Sequence, residues 1–203
     1  MNKLKNIREF PSIINKKHEI LFTFFVIVSG LLFGFIAKAT DSVSLIGDIG
    51  TDLGVWVFIV SIIAAFSSRP LSAIINTPAF LLSMLTSYYV YGQVVLGFFP
   101  ESYFMGWLII ALLAPIGGII IWFSHGKGII ANICAAMSTS ILLACGYSAL
   151  YTYHPVLILD LIFAALLLVI LPRTWKERAI ATGIALIFAI IIVNLQLISY
   201  LPW

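Results

Sequence analysis

The sequence predicts an all-α integral membrane protein, a bundle of about seven transmembrane helices with its N-terminus in the cytoplasm and its C-terminus outside. Of the 203 residues, 62% are hydrophobic and only 9% are charged, whereas a soluble domain has about 25% charged residues. This length allows six or seven spans of roughly 20 residues each, joined by short loops. The distribution of basic residues between those loops then fixes the orientation.

The apolar runs define the predicted elements in chain order. Residues 1–19 form a basic cytoplasmic segment, and residues 20–203 form a single transmembrane helical domain. The apolar run after the basic segment lacks a convincing small-residue cleavage site, so we interpret it as a retained first span and not as a signal peptide. The predicted spans cover about residues 20–37, 53–66, 71–91, 103–123, 129–151, 155–172 and 179–198.

A polar, glycine-rich stretch joins the first two spans. It extends from Lys38 to Gly54 and is compatible with a loop, an interfacial helix or a partly re-entrant turn. Asp48 and Asp52 lie in it four positions apart, so they share a face if the stretch is helical. We interpret these carboxylates as candidates for binding a cation or an amine. The alternative is a solvated loop that keeps its charges outside.

The basic residues orient the bundle. With seven spans, ten of the 11 Lys and Arg residues lie on the side of the N-terminus, and the opposite side holds only Lys38. Cytoplasmic loops of membrane proteins carry an excess of Lys and Arg. The N-terminus is therefore predicted to be cytoplasmic. The short loops and basic N-terminal segment are typical of a protein of the bacterial cytoplasmic membrane.

Asp160 is the strongest candidate for a functional residue. It lies in the sixth predicted span, roughly 7 Å from the outer boundary by helical rise. A carboxylate in hydrocarbon costs several kcal/mol unless it is protonated, paired or in contact with water. No residue of its own helix can pair with it, so its partner must come from another helix or from water. A protonatable or cation-pairing group is one interpretation, and a structural hydrogen bond to a neighbouring Tyr, Ser or Asn is the other.

Further polar residues follow the helical repeat of the third and fifth spans, and tyrosines crowd the predicted outer ends. They indicate either a cavity lining and an aromatic vestibule, or polar contacts between helices and an interfacial aromatic belt. Pro78 and Pro115 are predicted to break their helices and to expose backbone dipoles, as in the binding sites of transporters. The candidate ligand- or proton-binding residues are Asp160, Asn76, Ser83, Ser87, Thr139, Ser140, Asp52, Asp48, Tyr91 and Tyr147.

The sequence gives little support for an enzyme. Cys134 and Cys145 lie roughly 16 Å apart on one predicted helix, too far for a disulfide bond. His125 lies in the predicted turn before that helix, nine residues from Cys134. If the helix begins near Gly128, the two are roughly 13 Å apart, which is too far for a thiol–imidazole pair. No catalytic or metal-binding motif occurs. We therefore expect no metal and no cofactor.

These patterns favour a small permease or ligand-binding membrane protein, with a site around Asp160 in the outer half of the bundle. The expected ligand is a small cation or a neutral molecule, and proton coupling is an option. The alternative is a non-transporting structural or partner-binding subunit, and an intramembrane enzyme is less favoured. The expected partners are the lipid bilayer, and a membrane protein or a second copy of the chain. Nucleic acid is not expected.

Overall fold

Eight α-helices and two short 3₁₀ helices form the computed structural model, which describes residues 7–9 and 16–201. No β-strand occurs in this part of the chain, so the predicted all-α class is confirmed. The 3₁₀ helices are Tyr147–Leu150 and Leu197–Tyr200. The α-helices are α1 (Lys16–Ala39), α2 (Ser44–Thr51), α3 (Leu53–Phe66), α4 (Pro70–Leu96), α5 (Glu101–Phe123), α6 (Gly128–Gly146), α7 (Pro155–Ile170) and α8 (Trp175–Asn194).

Local sequence signals account for several helix ends. Proline occupies the first turn of α4 and of α7, where its missing N–H is not needed for an intrahelical bond. A capping box formed by Thr174 and Glu177 begins α8. Gly97 ends α4 with a φ of 68°, in the left-handed region that glycine adopts without steric cost.

Within the described residues, five helices are long and apolar enough to cross a membrane, and the bent pair α2–α3 would make a sixth. The sixth predicted span, α7, has 16 residues. By helical rise it measures roughly 24 Å, which is less than the ~30 Å of hydrocarbon in a typical bilayer. The chain is thus a membrane-type helical bundle with five or six candidate spans, and seven spans stay a prediction.

The helix bounds differ from the predicted spans in several places. The first helix begins at Lys16 and not at residue 20, and α4 continues beyond Tyr91 to Leu96. The sixth predicted span ends at Ile170, and the seventh runs over Trp175–Asn194. Of the predicted basic segment 1–19, residues 1–6 and 10–15 lie outside the described residues.

The expected breaks at Pro78 and Pro115 are not observed. Both α4 and α5 continue through their prolines, because a proline removes one intrahelical bond without ending a helix that neighbouring helices support. The break lies instead at Asp52, where α2 and α3 meet at an angle of 50°. A glycine-rich stretch that was open to several interpretations therefore contains the bent element of the bundle.

Helix ends gather at two opposite ends of the bundle. At the Asp52 end, the last turns of α1 and α4, the α2–α3 junction and the first turns of α5 and α7 surround one cavity. At the Arg69 end, Arg69 pairs with Glu19 of α1. There Arg8 also donates to the backbone carbonyls of Ala65 in α3 and Trp122 in α5. Except for Lys38, every Lys and Arg of the described part lies in segments at the Arg69 end.

Small residues bring the peripheral helices close to the centre. A Cβ at Gly30 or at Gly34 would lie 2.6 Å or less from backbone oxygens of α4, so α1 and α4 touch along their backbones. On the other side, α8 packs on α6 through buried Ala181, Ala185 and Ala189. In the apolar stretch of α6, 56% of the residues are buried, against 17% in that of α8. Helix α6 therefore lies at the centre of the bundle, next to α3.

Candidate functional site

The bend at Asp52 exposes the start of a helix inside the bundle. Asp52 has extended backbone angles, φ −70° and ψ 132°, and it both ends α2 and caps α3. Its Oδ2 accepts the backbone N–H of Val55 at 3.0 Å. The first backbone N–H groups of a helix carry partial positive charge, so this position favours an anionic group.

Asp160 lies directly behind Asp52. It is completely buried in α7, and no N–H or O–H donor of the described residues reaches either carboxyl oxygen. The carboxyl group of Asp52 is its close polar neighbour. Two carboxyl groups can share a hydrogen bond only if one of them carries a proton.

Gly54 leaves the space that the two carboxyl groups occupy. A Cβ at this position would lie 1.8 Å from Oδ1 of Asp160 and 3.0 Å from Oδ2 of Asp52. A side chain there would collide with the first carboxyl group and crowd the second. The acid pair therefore depends on the absence of a side chain in the first turn of α3.

The acid pair adjoins a cavity at the Asp52 end, which we call the polar cavity. Its volume is about 630 Å³, within the range of small-molecule sites. Asp52 lines it, whereas Asp160 does not. The other charged or titratable lining groups and the aromatic lining are Lys38, Asp48, His154, Trp56, Tyr88, Tyr89, Phe98, Tyr103 and Trp107.

Most charges in the polar cavity already have partners. Lys38 Nζ lies 2.6 Å from the carboxylate of Asp41, and 4.8 Å from the ring centroid of Tyr88. Asp48 lies 3.8 Å from His154, and both side chains are about half exposed. Among the described residues, neither carboxyl group of the acid pair has a basic side chain within ion-pair distance. The acid pair is thus the part of the cavity that lacks a counter-charge.

The structure brings three of the predicted residues together and leaves the others elsewhere. Asp48 and Asp52 line the polar cavity, and Asp160 stands behind Asp52. Three hydroxyl groups donate to carbonyls of their own helices: Ser83 to Phe80, Thr139 to Ala135 and Ser140 to Met137. The remaining polar candidates outside the cavity lining are Asn76, Ser87, Tyr91 and Tyr147.

Asn76 belongs to a hydrogen-bond network at the Arg69 end. Its side chain is fully buried, accepts from Thr23 at 2.7 Å and donates to Ser67 Oγ at 3.1 Å. The backbone carbonyl of Ser67 accepts from the indole N–H of Trp122 at 2.9 Å. The network ties α1, α4 and α5 together at the turn after α3.

An ion pair lies beside this network. Arg69 donates to Glu19 at 2.7 Å, and Ser72 donates to the other oxygen of that carboxylate at 2.8 Å. The polar face of α4 therefore points at α1, and it does not face the polar cavity.

A cluster of basic side chains also lies at the Arg69 end. Burial, with a smaller contribution from Arg173, lowers the pKa of Arg8 to about 10, so that Arg8 is still charged at neutral pH. Burial and the charges of Arg8 and Arg173 lower the pKa of His125 to about 4. His125 is therefore neutral at neutral pH.

Sequence reasoning missed several residues of the polar cavity. Lys38, Trp56, Trp107 and His154 were not among the candidates, yet all four line it. One signal was available in the sequence, because Lys38 is the single basic residue on its side of the predicted bundle. The two tryptophans carried no such signal, since their position depends on how α3 and α5 face each other.

The chain was compared with protein-family models, with curated proteins and with solved structures. No family model matches it, and neither a curated protein nor a solved structure is similar to it.

Proposed function

We propose that the protein binds a small organic cation, of the amine type, at the acid pair formed by Asp52 and Asp160, and that it acts as a proton-coupled permease for it. The observation that supports this proposal is an acid pair without a counter-charge, in which Asp160 is fully buried and Asp52 lines a cavity of about 630 Å³. The aromatic rings in the lining add faces that attract cations. The function rests on these residues and not on any relative.

Proton exchange is the proposed chemical event. Before the amine binds, the two carboxyl groups hold one proton between them. Each negative charge disfavours the other, and burial of Asp160 disfavours its ionised form. An ammonium group that enters next to Asp52 brings one positive charge and displaces that proton. The site carries one net negative charge before and after the exchange, so binding adds no further buried charge.

The bundle is proposed to lie in a bacterial cytoplasmic membrane with the Arg69 end in the cytoplasm. Nearly all basic residues gather at that end, as the positive-inside rule requires. The helix ends alternate between the two ends of the bundle, and with α2–α3 and α7 counted as crossings this gives the seven predicted spans. The polar cavity then opens to the outside.

Calorimetry on the purified protein tests the proposal. The protein is placed in nanodiscs of phosphatidylglycerol and titrated with ethylamine in two buffers that differ in ionisation enthalpy, so that proton release is measured together with affinity. We expect about one proton released per amine bound, because the coupled pair holds one proton. Asp160→Asn removes the second carboxyl group together with the proton that it shares, so that an ammonium group meets one carboxylate in place of two. Amine binding should weaken at least about tenfold, the equivalent of ~1.4 kcal/mol, and proton release should disappear.

Asp48→Asn is the matched control. It removes a carboxylate that also lines the polar cavity but lies outside the acid pair, about half exposed beside His154. This variant should keep proton release. Unchanged ethylamine affinity and proton release in Asp160→Asn would contradict the proposed mechanism, and no binding of any simple amine to the native protein would contradict the ligand class.

A further inference from the structure

A second cavity lies between α3, α4, α5 and α6, and we call it the apolar cavity. Its volume is about 200 Å³. The lining is hydrocarbon except for a few atoms, and two hydroxyl groups, from Ser61 and Ser138, belong to it. Empty apolar cavities of this kind do not fill with water but take up apolar molecules.

Ser61 gives the apolar cavity one polar point. Its side chain is completely buried, and its Oγ has no hydrogen-bond partner among the described residues. Buried hydroxyl groups are nearly always bonded, commonly to a carbonyl of their own helix. Ser138, by comparison, reaches the Ala135 carbonyl at 3.4 Å. The Ser61 hydroxyl is thus available to a ligand inside the cavity.

The two cavities share one wall. Trp56, Met84, Leu85 and Trp107 line both of them. The two tryptophan rings meet edge to face, with centroids 4.8 Å apart and planes at 70°. These four residues therefore form a wall that is common to the polar cavity and the apolar cavity.

We infer that the ligand is a single-chain amphiphile, whose ammonium head group binds at Asp52 and whose hydrocarbon chain passes Trp56 and Trp107 into the apolar cavity, with one polar atom near its far end bonded to Ser61. This inference rests on the proposed function, because it uses the acid pair for the head group. It adds the chain, its length and its polar end.

Helix geometry sets the length of the chain. Asp52 caps the start of α3, and Ser61 lies nine residues further along that helix. Nine residues of an α-helix rise about 13 Å. A hydrocarbon chain of medium length spans that distance, whereas ethylamine stays in the polar cavity. The lipid bilayer and the aqueous phase both contain molecules with an amine on a hydrocarbon chain, so the source of the ligand has to be measured.

The test compares three probes: ethylamine, decylamine and the omega-hydroxy analogue of decylamine. Binding is measured in phosphatidylglycerol nanodiscs and corrected with empty nanodiscs for partition into lipid. In the native protein, decylamine should bind at least about a hundredfold more tightly than ethylamine, because each buried methylene adds free energy. The hydroxyl analogue should bind more tightly again, by about threefold to tenfold, and Ser61→Ala should remove that last gain alone.

Two glycine variants test where the chain lies. Gly117 lines the apolar cavity and Gly183 is an exposed residue of α8, and in both a Cβ would have no heavy atom within 4 Å. We expect Gly117→Leu to lose the gain from chain length by at least about tenfold, while ethylamine binding, which reports the folded site, is unchanged. Gly183→Leu should behave as the native protein.

The outcomes separate the inference from the proposed function. If ethylamine binds with proton release but decylamine binds no more tightly, the inference is overturned and the proposed function stands. If Gly117→Leu and Gly183→Leu change decylamine binding equally, the chain is not in the apolar cavity. If no amine binds to the native protein, the proposed function fails and the inference with it. Competition by added lysophosphatidylethanolamine, a lipid with one acyl chain and an amine head group, would assign the ligand to a lipid, and absence of competition would assign it to a soluble amine.

Discussion

The two ends of the bundle use buried polar groups in opposite ways. At the Arg69 end, Asn76 is bonded to Thr23 and Ser67, and Glu19 is bonded to Arg69 and Ser72. At the Asp52 end, no donor of the described residues reaches the Asp160 carboxyl group, and a close polar neighbour of that group is another acid, Asp52. Polar groups at the Arg69 end bond neighbouring helices to one another, whereas the acid pair at the Asp52 end has no counter-charge among the described residues.

This difference separates structural from functional polarity in a membrane bundle. Burial and residue type alone do not distinguish the two, because Asn76 and Asp160 are both completely buried. The number of hydrogen-bond partners distinguishes Asn76 from Asp160. A buried polar group without a partner is costly, and such a cost is commonly found at binding and proton-transfer sites.

Gly54→Ala should have the largest effect of the substitutions that test this comparison. The new Cβ would lie 1.8 Å from Asp160 Oδ1, so the Asp160 carboxyl group must leave its position or α3 and α7 must separate. We expect a loss of about 3 kcal/mol of unfolding free energy, together with loss of ethylamine binding, measured by denaturant unfolding and calorimetry. Gly183→Ala is the control, because it meets open space and should stabilise its helix by about 0.5–1 kcal/mol. Equal effects of the two variants would show that the acid pair does not need the gap at Gly54.

Asn76→Ala should come next and affect stability alone. It leaves the Thr23 hydroxyl without its acceptor and removes the bond that Asn76 donates to Ser67 Oγ, at a cost of about 2 kcal/mol. Ethylamine affinity should stay within about twofold of the native value, since Asn76 does not line the polar cavity. Ser83→Ala removes only a bond within its own helix and should cost less than about 0.5 kcal/mol. A large loss of amine binding in Asn76→Ala, with little loss of stability, would place Asn76 in the site after all.

Glu19→Gln compares the ion pairs of the two ends. The Glu19 side chain is 11% exposed and its partner Arg69 33% exposed, so loss of the charge should cost about 1 kcal/mol. Asp48→Asn breaks the Asp48–His154 pair, whose side chains are 51% and 48% exposed, and should cost less than about 0.5 kcal/mol. Unfolding of both variants in the same nanodiscs measures the difference, and a reversed order would contradict the assignment of structural polarity to the Arg69 end.

Substitution of His125 should have the smallest effect on stability, and this effect should appear only at acidic pH. Its pKa in the folded protein is lowered to about 4 from an ordinary value of 6.5. As pH falls from 6.5 towards 4, the unfolded chain binds the proton first, so stability is lost across that window. His125→Asn should lose less stability than the native protein between those pH values, as measured by thermal unfolding. Parallel pH curves for the two proteins would contradict the burial of a neutral imidazole.

The chemistry of the site could be predicted from the sequence, but the neighbour that each helix face contacts could not. Asp160 was identified because a carboxylate in an apolar helix is costly wherever it points. Ser72, Asn76 and Ser83 were correctly placed on one face of α4 by their spacing. Periodicity does not say which neighbour that face meets, and in the structure it meets α1, through Glu19, Thr23 and Gly30.

The fold shows the same limit. Composition and apolar runs predicted the helical class and most helix positions, because these depend on local sequence. The break was expected at Pro78 and Pro115, but neighbouring helices support both. It occurs at Asp52, where an aspartate suits the start of a new helix and glycine tolerates close contact at Gly47 and Gly50. That outcome depends on tertiary packing, which a single sequence does not display.

A side-chain hydrogen bond also joins the two helices on either side of the bend at Asp52. The indole N–H of Trp56, on α3, donates to the backbone carbonyl of Gly50, on α2, at 2.9 Å. The same ring forms part of the wall between the two cavities. A change in the angle between α2 and α3 would therefore move this ring, and with it the wall between the two cavities.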